Sequence, residues 1–361
     1  MRIGFFGSSL VSSYWNGAAT YYRGLLKALS RVGHRITFYE PDAYERQQHR
    51  DIADPEWARV LVYPATESGW QRSLTQALRE SDLVVKASGI GVFDAELEIA
   101  VPELAPRRVI TVFWDVDAPA TLDSIEIAPT HHMHRMIPRY HTIITYGGGE
   151  PVVSAYRRLG ARHCEPIYNA LDPETHFPVP RRDFVCDLSL LANRLPDREA
   201  RVEEFFLAPA ASLSDRSFLL GGAGWETKSV PANVRLAGHV GTADHNAFFA
   251  SAVATLNVNR ECMARYGFSP PTRIFEAAGA GACIISDAWS GIEQFLEPER
   301  EIFIARDGSG VIEILGRLDA ERRHRLAQAA RAHVLSEHTY AHRARQFDVL
   351  FDCGGRRGAA A

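Results

Sequence analysis

Cysteine is scarce and scattered. The five in 361 residues, Cys164, Cys186, Cys262, Cys283 and Cys353, include no pair at metal-ligand spacing, which argues against a cysteine metal site and suits a reducing cytoplasm. No apolar run is long enough to span a bilayer, and Arg2–Gly7 enters a strand pattern with no charged-then-apolar leader before it. A cytoplasmic chain without a membrane span is therefore expected. Neither sign of charge dominates: 40 Lys and Arg stand against 44 Asp and Glu, with a formal charge of -4 and a pI near 6.4. No nucleic-acid partner is expected from that balance, although it leaves room for a local basic cleft. The loop after the first strand pattern has no G-x-G-x-x-G, which argues against a nicotinamide or flavin cofactor.

What is present reads as a soluble globular enzyme of two or three domains, 46% hydrophobic and 23% charged. The chain is organised around residues 269–287. Ser269 is the expected N-cap, the prolines after it suit a first helical turn, and Arg273–Ala278 is helix-forming until Gly279 and Gly281 stop it. The apolar Ala282–Ile285 then predicts a buried parallel strand ending at Ser286 and Asp287. A helix N-terminus beside strand ends is where an α/β sheet places an anionic ligand, and Glu276, one turn inside, can accept from ribose hydroxyls.

From the N-terminus, the strand Arg2–Gly7 opens into a polar loop through Gly17. A helix carrying Tyr22, Leu25, Leu26 and Leu29 and the strand Arg35–Tyr39 complete a βαβ start. Asn16 and Gly17 are candidates for a helix cap or for phosphate or sugar contact. A helix is expected over Asp54–Arg59, then strands at Asp82–Ser88, Arg108–Trp114 and Thr142–Tyr146, and a helix over Pro151–Leu159. Asp115 and Asp117 close the second of these strands, at the edge where catalytic groups of parallel sheets collect. His131, within a histidine-rich run, is set down as an acceptor-side polar residue rather than a metal ligand, since no carboxylate or cysteine stands at ligand spacing. No metal site is expected.

The proline-rich 171–182 segment divides a first domain (1–170) from a second (183–335), and should act as a hinge. The second domain alternates again: Asp187–Leu191 opens into Asn193 and Arg194, Ser217–Leu220 into Gly221–Trp225, Val234–Val240 precedes a helix over His245–Ser251, and Ala254–Val258 ends at Arg260. Gly222 and Trp225 mark either a plain turn or a phosphate or sugar contact. Tyr340, Ala344, Phe347 and Phe351 form the stripe of a last helix, placed at 336–353 and returning to the first domain, and 354–361 reads as a disordered tail.

Five stretches together resemble the spore-maturation (CgeB-like) branch of the bacterial "group 1" glycosyltransferases: SYWNGAATYYR at 13–23, WDVDAPATL at 114–122, YNALDPETH at 168–176, NRLPDR at 193–198 and RIFEAAGAG at 273–281. The resemblance implies the GT-B fold, two Rossmann-like domains facing each other across a cleft. It also implies transfer of a hexose-type sugar from a UDP-, dTDP- or GDP-sugar to an unidentified small-molecule, glycan or protein acceptor, with no cofactor beyond that co-substrate. Gly238, His239 and Val240 would lie near the base and Glu276 on the ribose, while Asn193, Arg194, Thr272 and Arg273, with Arg260 by position, would face the diphosphate without a metal. Asp117 would be the catalytic carboxylate, a general base in an inverting course or an orienting group in a retaining one, with Trp114 and Asp115 on the acceptor side. Phe268 stands where the wider family has the first of two glutamates. The same fold could also serve a sugar-nucleotide epimerase or a non-catalytic nucleotide-sugar-binding subunit.

Overall fold

A computed structural model describes residues 1–351, so the expected tail lies outside the described residues. Among them no helix is long and apolar enough to cross a membrane. The chain forms two units. The first takes Met1–Tyr168 and the chain from Tyr340 onward, and the second takes Asn169–Thr339.

In the first unit, β1 (Arg2–Phe6), β2 (Arg35–Asp42), β3 (Ala58–Pro64), β4 (Leu83–Ala87), β5 (Ile110–Asp115), β6 (Thr142–Thr145) and β7 (Cys164–Pro166) form one sheet. It is parallel throughout, in the order β3-β2-β1-β4-β5-β6-β7. The helix Ala19–Arg31 buries Tyr22, Leu25, Leu26 and Leu29, the stripe its periodicity predicts. Asp54–Arg59 is not helical. Its end belongs to β3, because seven residues from Ala58 find hydrogen-bonded partners along β2, and that pairing outweighs a short helical propensity.

The helix Tyr340–Leu350 packs within this unit against Ala19–Arg31. Phe347 stacks on Trp114 at a ring separation of 6.2 Å, and His34 Nε2 meets Asp348 Oδ1 at 2.7 Å. Gly24 permits the approach, since a Cβ there would lie 2.1 Å from the Tyr340 ring.

In the second unit, β8 (Cys186–Leu191), β9 (Phe218–Gly221), β10 (Val234–Gly238), β11 (Ala252–Asn257), β12 (Ile284–Asp287) and β13 (Phe303–Ala305) form a second parallel sheet, ordered β10-β9-β8-β11-β12-β13. Leu188, Leu190, Phe206, Phe218, Leu220, Leu256, Ile285 and Phe303 belong to its buried core. Buried on both faces, these strands read as the near-continuous apolar runs that made them legible in sequence.

Gly24→Ala should destabilise the first unit by about 1–3 kcal/mol, the usual cost of overpacking a filled contact. Urea denaturation followed by circular dichroism measures this. An unchanged midpoint would mean that the Tyr340 ring gives way without cost.

Candidate functional site

The carboxyl ends of β8, β9, β11 and β12 share one edge of the second sheet, and polar side chains there satisfy each other. Asn257 Nδ2 donates to Ser286 Oγ at 3.0 Å and to Asn259 Oδ1 at 3.2 Å. Asp287 is fully buried and accepts from Arg201 Nη2 at 2.7 Å and from the Asn259 N–H at 3.0 Å. Burial pushes its carboxyl above the ordinary range, against the pull of Arg201.

The helix over Thr272–Gly279 starts beside this edge. Its N-cap is Pro271 in an extended conformation, not Ser269, which is buried with its hydroxyl donating to the Gly267 carbonyl at 2.9 Å. Proline leaves nothing for the cap to lose in N–H bonding, so the helix begins two residues later than a Ser269 cap would place it. Asn169 secures the start: Nδ2 donates to the Pro270 carbonyl at 2.9 Å and Oδ1 accepts from Thr272 Oγ1 at 3.2 Å.

Arg273, in the first turn, donates to Asn257 Oδ1 at 2.7 Å. Among the described residues no carboxylate lies within ion-pair distance of it. Burial and then the neighbouring Arg198 push its guanidinium down to about 9, and the more distant Glu276 and Asp287 offset this only in part. The other predicted arginines differ. Arg194 is clamped to Glu199 at 2.8 and 2.9 Å, and Arg260 Nε donates to Asp197 Oδ2 at 2.6 Å. Both carboxylates come from the helix Pro196–Val202, which begins inside the NRLPDR stretch.

Asn193 Oδ1 accepts from the Ala223 N–H at 3.0 Å, and the Gly222 N–H donates to the Gly238 carbonyl at 2.7 Å, so the turns after β8, β9 and β10 are tied together. His239 is exposed and Val240 buried. Trp225 offers no ligand surface: it is 1% exposed, with its indole N–H on the Ala192 carbonyl. An aromatic after a glycine turn looks available in sequence, but here it fills the core.

Glu276 is buried in company that the sequence did not suggest. Its Oε1 lies 3.9 Å from His176 Nε2 and its Oε2 3.8 Å from His245 Nδ1, and Oε1 has no hydrogen-bond partner. These residues are 31 or more positions apart in the chain, and no local pattern could have grouped them.

In the first unit, β5 carries its two aspartates to different fates. Asp115 is fully buried and accepts from Ser88 Oγ at 2.7 Å, Thr121 Oγ1 at 3.0 Å, the Asp117 N–H at 3.0 Å and the Tyr156 hydroxyl. Asp117, half-buried, occupies the N-cap position of the helix Ala118–Ile127, yet its side chain makes no capping hydrogen bond. Trp114, expected on the acceptor side, is fully buried among Phe5, Tyr21 and Phe347 and donates to the Tyr21 hydroxyl at 2.9 Å. Asn16 is likewise structural, its amide donating to the carbonyls of Ser9 and Ser12, whereas Gly17 is exposed. His131 stacks on His132, whose Nε2 reaches Glu98 at 2.6 Å, and its own Nδ1 accepts from the Met133 N–H.

Residues 198–348 match the family described as glycosyl transferase-like. No curated protein matches the chain in sequence. Among solved structures, sucrose-phosphate synthase from Thermosynechococcus elongatus superposes with a TM-score of 0.71 at 13% identity, covering 100% of both chains. HepE from Anabaena, solved in complex with UDP and glucose, gives 0.68 at 13% identity over 98% of this chain and 100% of its own. A glycosyltransferase involved in avilamycin A biosynthesis gives 0.61 at 16%, over 98% and 97%. The fold is GT-B.

In this GT-B chain the Asp115 carboxyl is pushed up to about 6, chiefly by burial, against the hydrogen bonds that favour its charge. The folded state thus holds the proton more tightly than the unfolded chain. Its contribution to stability is complete below the unfolded value near 3.8 and is lost as pH rises through about 6. Asp115→Asn should flatten the stability profile between pH 4 and about 7, removing a swing of up to about 3 kcal/mol. Thermal melting of both proteins across that window measures it, and parallel profiles would defeat the assignment.

Proposed function

We propose that the chain is a glycosyltransferase moving a sugar from a nucleoside-diphosphate sugar, of the UDP kind, to an acceptor hydroxyl. The observation that carries this reading is Arg273. It is a half-buried guanidinium in the first turn of a helix, beside Arg198 and with no carboxylate in ion-pair contact among the described residues, within the segment that matches the glycosyl transferase-like family. Such a place calls for an anion, and the helix N–H groups and dipole add to the attraction. The UDP bound by HepE supports a diphosphate as that anion.

In this reading Arg273 and the helix terminus stabilise the charge that collects on the diphosphate as the sugar C1–O bond breaks, so no metal is needed at that step. Arg194 and Arg260, already engaged by Glu199 and Asp197, shape the surrounding turns and join only if those pairs open. Glu276, with one carboxylate oxygen unused, accepts from the ribose hydroxyls, and Gly238–Val240 lie near the base. Asp117 takes the proton of the acceptor hydroxyl if configuration is inverted, and orients the acceptor if it is retained.

Incubation with labelled UDP-, dTDP- and GDP-sugars should show transfer or slow hydrolysis, with the product anomer read from the same mixture. Asp117→Asn should lower kcat about 10²–10⁴-fold in an inverting course, or raise KM in a retaining one. Interconversion of the donor without transfer would replace this reading with an epimerase.

Glu276→Ala should weaken UDP binding by about 1.5–3 kcal/mol, the worth of hydrogen bonds to a charged group. Calorimetry in the presence of a chelator measures it. Unchanged affinity would remove Glu276 from the ribose.

A further inference from the structure

We propose that His176, His245 and Glu276 form a binding site for one transition-metal dication of the zinc kind. Three segments bring them together. His245 and Asn246 lie on the helix Thr242–Ser251, and Asn246 clamps the chain that carries His176: its Oδ1 accepts from the Phe177 N–H at 2.9 Å, and its Nδ2 donates to the Thr175 carbonyl at 2.8 Å. Gly279 lets the helix bearing Glu276 close in, because a Cβ there would lie 2.3 Å from Leu171 and 3.0 Å from the His176 carbonyl. Asn246 and Gly279 thus position the segments that carry the three ligands.

Their spacing is the second ground. His176 Nε2 and His245 Nδ1 are 3.5 Å apart, and the carboxylate turns one oxygen toward each ring at 3.9 and 3.8 Å. Those last two gaps are too long for hydrogen bonds. They are within about 0.6 Å of the ~3.3 Å that separates neighbouring ligand atoms around a tetrahedral ion with bonds of 2.0–2.1 Å.

The third ground is cost. Glu276 is 5% exposed and His176 3%, so a carboxylate oxygen without a partner sits where water cannot freely solvate it. A dication bridging the rings and the carboxylate answers that need. The His245 ring is also hydrogen-bonded to the Val240 backbone, which orients it as a ligand. Two imidazoles and one carboxylate favour zinc-like ions over magnesium or calcium, which take oxygen ligands.

The site shares Glu276 with the proposed ribose contact, so the ion and the nucleotide compete for one carboxylate. This coupling, unlike the metal site itself, rests on the glycosyltransferase reading. Zinc would oppose donor binding, and by linkage the donor would oppose zinc.

The test titrates the chelator-treated full chain with zinc chloride by calorimetry. One zinc per chain is expected, with His176→Ala and His245→Ala each weakening it at least about tenfold, the loss seen even for outer-shell partners of a metal. Circular dichroism checks that the variants fold. As a measurement on the unaltered chain, zinc should protect His176 and His245 from diethylpyrocarbonate, read by peptide mass spectrometry. UDP affinity should fall in the zinc-loaded chain. No stoichiometric zinc binding, or binding indifferent to both substitutions and giving neither histidine protection, overturns the metal site while leaving UDP binding as its own result. Zinc binding at these residues with UDP affinity unchanged overturns the competition and the ribose role of Glu276 together.

Discussion

Every strand pairing in the two sheets is parallel, and this constraint governs what the rest of each unit can do. Parallel strands send all their carboxyl ends to one edge, where the ladder stops and backbone groups need other partners. Polar side chains therefore gather at those edges for structural reasons before any ligand arrives. In the second unit Asn257, Asn259, Ser286 and Asp287 bond to one another there. In the first, Ser88, Asp115 and Tyr156 do the same.

Such a network separates groups that have been used from groups that have not. Asp115 and Asp287 are buried carboxylates whose oxygens are taken by neighbours, and burial raises the pKa of each. They hold the edge in place. Arg273 is the converse, a cation bonded to an amide and near another arginine, with Glu276 and Asp287 close enough to act on it but not in ion-pair contact. Leaving a charge uncompensated costs stability, and chains keep such costs where a ligand meets them.

The proposed ribose and zinc roles of Glu276 would draw on one side chain. A carboxylate can accept from hydroxyls or bind a cation, and its choice depends on what stands opposite. Here two imidazoles stand opposite, held by contacts of Asn246 and Gly279 that serve packing as much as any site.

Much of this molecule was legible from the chain alone because the signals are local. Short apolar runs bounded by turn residues predicted β1, β4, β6, β8, β9 and β12 to within two residues at each end, and the spacing of Tyr22, Leu25, Leu26 and Leu29 predicted one helix face. The stretch around Glu276 was likewise visible as a helix leading into a strand. What the tertiary structure alone decided was burial and company. Asp115 and Asp117 are chemically alike and two residues apart, but only the fold closes Tyr156, Ser88 and Thr121 around the first. Trp114 and Trp225 are aromatic residues at strand ends in either view, and only packing sends both into the core. β3 carries an apolar run, Val60 to Tyr63, but only its pairing along β2 fixes where the strand starts and excludes a helix over Asp54–Arg59. His176, His245 and Glu276 come together through three separate segments, and periodicity, which reports neighbours three or four residues away, holds no information about contacts closed over 31 residues or more.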